Sequence, residues 1–192
     1  MSKTESAHLI LGVTGASGIY AARRLIEKST WLVDLVASRW GRAVAGTECG
    51  GIEEIEFFAR QVYAADDLYA PLSSGSVPSV GMVVLPCSAH TMAQMAAGLG
   101  DSLITRAAHC QLKERRPLIL CLREAPLTLI DLENARRLGQ AGAVIMPMSP
   151  PFFMFAGRDP QTVTYHDLMD AFADRVLAVL GQTPGRTWED VR

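Results

Sequence analysis

Three short segments hold the residue types most able to do chemistry. The first, Thr14-Gly15-Ala16-Ser17-Gly18, lies between an apolar run and a helical one. Its glycines let the backbone turn tightly, and N–H groups opening a helix favour an anion such as a phosphate. The same segment also reads as a plain strand-to-helix turn. Its glycines fall at 12, 15 and 18, which is not the dinucleotide spacing, so a standard nicotinamide site is disfavoured and a mononucleotide is not. The second segment is Pro86-Cys87-Ser88-Ala89-His90-Thr91. Ser88 and Thr91 are spaced so that both hydroxyls can face a ligand while Ser88 caps a helix. Cys87 is either a nucleophile or an inert thiol closing a buried strand, and the apolar context favours the inert reading. His90 reads better as a solvent-facing or satisfied histidine than as a base. The third segment is Arg123-Glu124, at the end of another apolar run. Such an Arg can grip a phosphate and such a Glu can work in acid–base chemistry, or the two form a structural ion pair. Glu48, near glycines, is a fourth candidate, with a solvated helix end as its plainer reading.

These segments must be held by a scaffold, and the apolar pattern shows one. His8–Val13, Leu32–Ala37, Gly81–Leu85, Leu118–Leu122 and Ala143–Met146 are short runs of nearly continuous apolar character. Continuous runs fit strands covered on both faces, as in a parallel sheet. Helical patterns occupy Ile19–Lys28, Ser88–Ala97, Asp131–Gln140 and Tyr165–Leu180. In the last, Leu168, Phe172, Val176 and Leu180 form a stripe suited to docking on the sheet. Alternating strands and helices predict an open, Rossmann-like α/β fold with helices on both faces and ligands at the carboxyl ends of the strands. The long loop 147–160 is a further place to look for function.

The chain has 192 residues, 49% apolar and 20% charged, which fits one globular domain over 1–192 with a C-terminal helix and tail from about 165. Eighteen Lys and Arg against twenty Asp and Glu give a net charge of −2, so no nucleic-acid or anionic-membrane footprint is expected. The four cysteines form no C-x-x-C pair, which disfavours a structural zinc site or a disulfide framework. Met1–Ala7 is short and polar, unlike a signal peptide, and no apolar stretch suits a membrane span. A cytoplasmic protein is expected.

Taken in order, G-x-T-G-A-S-G, S-S-G-S before the third apolar run, P-C-S-x-x-T after it, L-I-x-R-A-A, L-K-E-R-R-P-L and R-E-x-P-L resemble the flavin prenyltransferase (UbiX-like) family. The likeness runs from His8 to Pro147 and returns at Arg175-Val176-Leu177. It implies transfer of a dimethylallyl group from dimethylallyl monophosphate to N5 and C6 of reduced FMN, without a metal. The prenylated FMN would pass to a UbiD-like decarboxylase, and the enzyme would be a homo-oligomer, a dodecamer by analogy. The resemblance assigns FMN binding to Gly15, Ala16, Ser17, Ser38, Ser88, Ala89, His90, Thr91, Arg106 and Arg123. It assigns the substrate phosphate to Lys113, Arg123 and Arg175, and catalysis to Ser17, Glu48 and Glu124.

There are departures. Phe153 stands where the family has a phosphate-binding Tyr, and about six extra residues follow before the last helix, judged from the interval to Arg175. Tyr165 or Arg158 could replace the hydroxyl, or it could be lost. Leu68, beside Tyr69, stands where a Trp is usual. A flavin-binding or carrier protein without transferase activity is therefore a second reading. A flavin-dependent cysteine decarboxylase, a third, lacks its signatures P-A-S-A-N-T and P-x-M-N-x-x-M-W.

Overall fold

The computed structural model describes residues 8–185 and 187–191. Met1–Ala7, read above as unlike a signal peptide, lies outside the described residues. Six strands form one sheet: β1 (His8–Val13), β2 (Leu32–Ala37), β3 (Gln61–Tyr63), β4 (Gly81–Cys87), β5 (Leu118–Leu122) and β6 (Val144–Ile145). All neighbours are parallel, in the order β3-β2-β1-β4-β5-β6. This is the doubly wound order, whose direction reverses between β1 and β4. The apolar runs correspond to β1, β2, β4, β5 and β6. The three-residue edge strand β3 had no such signal, because its sequence Gln-Val-Tyr is too short to show a period.

Among the described residues, seven α-helices complete the fold: α1 (Ile19–Lys28), α2 (Arg39–Glu48), α3 (Glu53–Glu56), α4 (Ala89–Ala96), α5 (Leu103–Lys113), α6 (Leu129–Gln140) and α7 (Tyr165–Val179). Strand alternation splits the core into two layers. Leu9, Leu11 and Val13 of β1 pack with buried residues of α1 and α7, whereas Ile10 joins those of α4 and α5 on the other face. The expected stripe of α7 holds at its centre, where Phe172 and Val176 are fully buried. Replacing that ring by a methyl group leaves a cavity between α7 and the sheet. Phe172→Ala is expected to destabilise the protein by about 3–5 kcal/mol, read as a lower urea midpoint with an unchanged slope.

Parallel pairing in register brings the strand ends level. Val13 lies opposite Ala37, and Cys87 opposite Leu122. Residues following β1, β2, β4 and β5 therefore emerge along one edge of the sheet. Thr14, the first residue of the turn singled out above, ties that edge together. Buried at the end of β1, it donates through Oγ1 to Pro86 O at 2.8 Å and accepts from Ser88 N at 2.8 Å. No described helix is long and apolar enough to cross a membrane.

Candidate active site

Two cavities open at this edge, and residues of the β1–α1 turn line each of them. The larger, about 1040 Å³, is bounded by Gly15 after β1, Ser38 and Trp40 after β2, and Ser88, His90 and Thr91 after β4. The smaller, about 320 Å³, is bounded by Ser17, Gly18, Glu48, Arg123, Met148, Tyr165 and Met169. Residues 15 and 17 thus face different chambers from one short turn.

Local chemistry explains how each wall is held. Ser38 caps α2, its Oγ accepting from Gly41 N at 3.0 Å. Ser88 caps α4, accepting from Thr91 N at 3.2 Å and lying 3.0 Å from the Thr91 hydroxyl, as the spacing predicted. The glycines act by absence of a side chain. A Cβ on Gly15 would stand 2.5 Å from that of Trp40, and Gly18 combines φ of 98° with Met148 2.5 Å from the same position.

Glu48 is the unexpected wall. It ends α2, yet its carboxylate reaches the start of α1, thirty residues earlier in the chain. Oε2 accepts from Gly18 N and Ile19 N, both at 2.9 Å, and Oε1 accepts from Gly18 N at 3.2 Å. The α1 N-terminus, read from the sequence as a phosphate cradle, is capped by a carboxylate of the protein's own. Complementary charge at a helix start favours this. The solvated-end reading of Glu48 does not describe this position.

Arg123 continues β5, its N–H donating to Cys87 O at 2.9 Å. Among the described residues its guanidinium has no acidic partner, so the ion-pair reading does not apply. Glu124 is exposed outside both cavities, with Oε1 accepting from Ala125 N at 3.1 Å. Cys87 is fully buried, and burial pushes its thiol up to about 12. A thiol with so little thiolate is a poor nucleophile. Cys87→Ala is expected to leave turnover within about twofold, and the native thiol should resist alkylation while the protein stays folded.

Other expected site residues lie elsewhere in this chain. Ala16 and Ala89 do not wall either cavity. Arg106 turns away, its Nε donating to Ser73 O at 2.9 Å. Lys113 ends α5 just before β5 begins, so it sits at the opposite edge of the sheet, paired with Glu114. Arg175 is exposed ten residues beyond Tyr165 on α7, about 15 Å along the axis. Phe153 packs edge-on against Trp188, with ring centres 5.7 Å apart. A single chain does not bring these groups to Arg123, because α5 and α7 both run from the site edge toward the other end. Arg158, one substitute for the missing hydroxyl, is engaged with Asp167, whereas Tyr165, the other, faces the smaller cavity. Among the described residues, no three His, Cys, Asp or Glu side chains gather to hold a metal ion.

The larger cavity suits a flat, phosphate-bearing cofactor. It lies at the reversal of strand order and offers hydroxyls and helix-start amides. The Flavoprotein family model matches residues 1–177. Flavin prenyltransferase UbiX of Thermoplasma acidophilum is 39% identical over 177 residues, spanning 90% of this chain and 94% of the relative. A crystal structure of AnUbiX (PadA1) in complex with FMN and dimethylallyl pyrophosphate superposes with a TM-score of 0.87 at 34% identity, covering 96% of this chain and 98% of that one. The dodecameric FMN-dependent Ubix-like decarboxylase from Escherichia coli O157:H7 gives 0.84 at 33% identity, covering 94% and 98%.

Proposed function

The chain belongs to the UbiX-like flavin prenyltransferases within the Flavoprotein family, and from that membership we propose how its two cavities divide the reaction. The larger receives FMN and the smaller receives dimethylallyl monophosphate, so acceptor and donor meet at the β1–α1 turn beside Ser17. The observation that carries this reading is the shared wall: Gly15 faces one chamber while Ser17 and Gly18 face the other.

Reduced FMN supplies the ring positions N5 and C6 that accept the prenyl group. The protein's part is positioning and charge. Gly15, Ser38, Ser88, His90 and Thr91 would hold the flavin, and by resemblance Ser17 would serve its reacting end from the adjoining turn. In the donor, the bond between the allylic carbon and phosphate oxygen breaks, and the phosphate leaves with the electron pair. The Arg123 guanidinium stabilises that growing charge. Glu48, fixed by the α1 amides, would take up the proton released when the flavin is alkylated, and by resemblance Glu124 would serve a second proton transfer. Ala16, Ala89 and Arg106 belong to the flavin side by resemblance.

Lys113, Phe153 and Arg175 fit this scheme through assembly. A homo-oligomer, dodecameric as in the related decarboxylase, brings them to a site completed by neighbouring subunits. One domain over 1–192, cytoplasmic, would pass prenylated FMN to a UbiD-like decarboxylase.

The test is the mass of the flavin recovered after anaerobic incubation with reduced FMN and dimethylallyl monophosphate. A gain of one five-carbon unit is expected. Unchanged FMN with the monophosphate, and again with dimethylallyl diphosphate, would favour the binding-protein reading that Phe153 raises.

A further inference from the structure

We propose that Tyr165 is a substrate-contacting residue of the smaller cavity, its phenol donating a hydrogen bond to the phosphate of the allylic donor opposite Arg123. The inference rests on the division of the two cavities proposed above. Tyr165 shares the walls of the 320 Å³ chamber with Ser17, Glu48 and Arg123. A volume of that order accommodates a small phosphate ester rather than a flavin. Among the described residues Arg123 is the chamber's one cationic wall, and the Glu48 carboxylate is occupied by the α1 amides. A phosphate held there needs further neutral donors, and the hydroxyls of Ser17 and Tyr165 supply them. Among the described residues the Tyr165 hydroxyl makes no hydrogen bond, so its proton is free to be given.

The Tyr165 ring is half exposed, and its aromatic neighbours are Tyr20 and His166. The Tyr20 ring of α1 lies 6.3 Å from Tyr165 and stacks at 4.2 Å on His166. Thr164 and Asp167 form a reciprocal cap on α7, with Thr164 Oγ1 donating to Asp167 Oδ2 at 2.7 Å and Asp167 N donating to Thr164 Oγ1 at 3.1 Å. Arg158, from the enlarged loop, pairs with Asp167 at 3.3 Å. These contacts hold the Asp167 carboxyl down at about 2, so the clamp stays charged at neutral pH. The inserted residues thus fix the first turn of α7, which is where Tyr165 begins. Partial burial, and then the nearby Glu48 charge, raise the phenol above its usual value.

Tyr165→Phe removes only the hydroxyl. Calorimetric titration of the oxidised FMN-loaded protein with dimethylallyl monophosphate reads binding without turnover. A weakening of about tenfold or more is expected, with the same factor for inorganic phosphate and with FMN content and Tm unchanged. Equal affinities in the variant and the parent would overturn the proposal. So would a loss confined to the allylic ester, which would mark the ring as a plain wall. Recovery of prenylated flavin from the parent is measured alongside. If the parent makes it while the variant binds normally, the assignment of Tyr165 fails and the transferase reading stands. If the parent neither binds the ester nor makes product, both fail together.

Discussion

Arg123→Ala is expected to lower kcat/KM for the allylic phosphate by about 10²–10³-fold. The effect is large because this guanidinium is the cationic wall of the smaller cavity and has no acidic partner among the described residues to share its charge. Backbone geometry at the end of β5 should survive, since the bond from Arg123 N to Cys87 O does not involve the side chain. Flavin should remain bound through the walls built by Gly15, Ser38 and Ser88. Steady-state rates under anaerobic conditions, with flavin content measured on the same sample, separate the two effects. An unchanged apparent affinity for the phosphate would remove Arg123 from the proposed role.

Glu48→Gln is expected to lower turnover by about 10²–10⁴-fold while leaving the fold intact. The amide carbonyl can still accept from Gly18 N and Ile19 N, so the cap on α1 persists, but the carboxylate's capacity to take a proton is gone. Glu48→Ala removes both and serves as the comparison. Loss of a cap alone costs about 1 kcal/mol, which thermal unfolding would register in Ala but not in Gln. If Gln turns over normally and Ala is merely less stable, Glu48 is a cap and nothing more.

Much of the scaffold was legible because buried parallel strands leave unbroken apolar runs. The bounds of β1, β2 and β5 match the runs read from the sequence, and α1 matches its helical pattern. Ser88 capping α4 was legible for a related reason, since an N-cap depends on residues three apart. Helix α2 was not among the helical patterns, for its sequence Arg-Trp-Gly-Arg-Ala-Val-Ala-Gly-Thr-Glu carries two glycines and buries only Gly41 and Ala45. Helix α5 was not among them either, and its one local start signal is the Ser102–Thr105 capping pair. The inner strand ends meet because parallel registers align, and that decides which loops share an edge.

By itself the sequence determined five of the six described strands, four of the helices and the types of group available at the strand ends. It also determined the family, through motifs whose combination is specific even though each piece is weak. Only the tertiary structure decided the partners. Glu48 reaches Gly18 across thirty residues, Thr14 joins β1 to β4 across seventy-two, and Tyr165 enters the chamber of Ser17 from the start of the last helix. Periodicity and caps are properties of neighbouring residues, so they are written locally. Which distant side chains share a cavity depends on how helices pack on the sheet, and no local pattern encodes that distance. The same reasoning places Lys113 at the far edge, where its motif is intact but its own chain cannot carry it to Arg123.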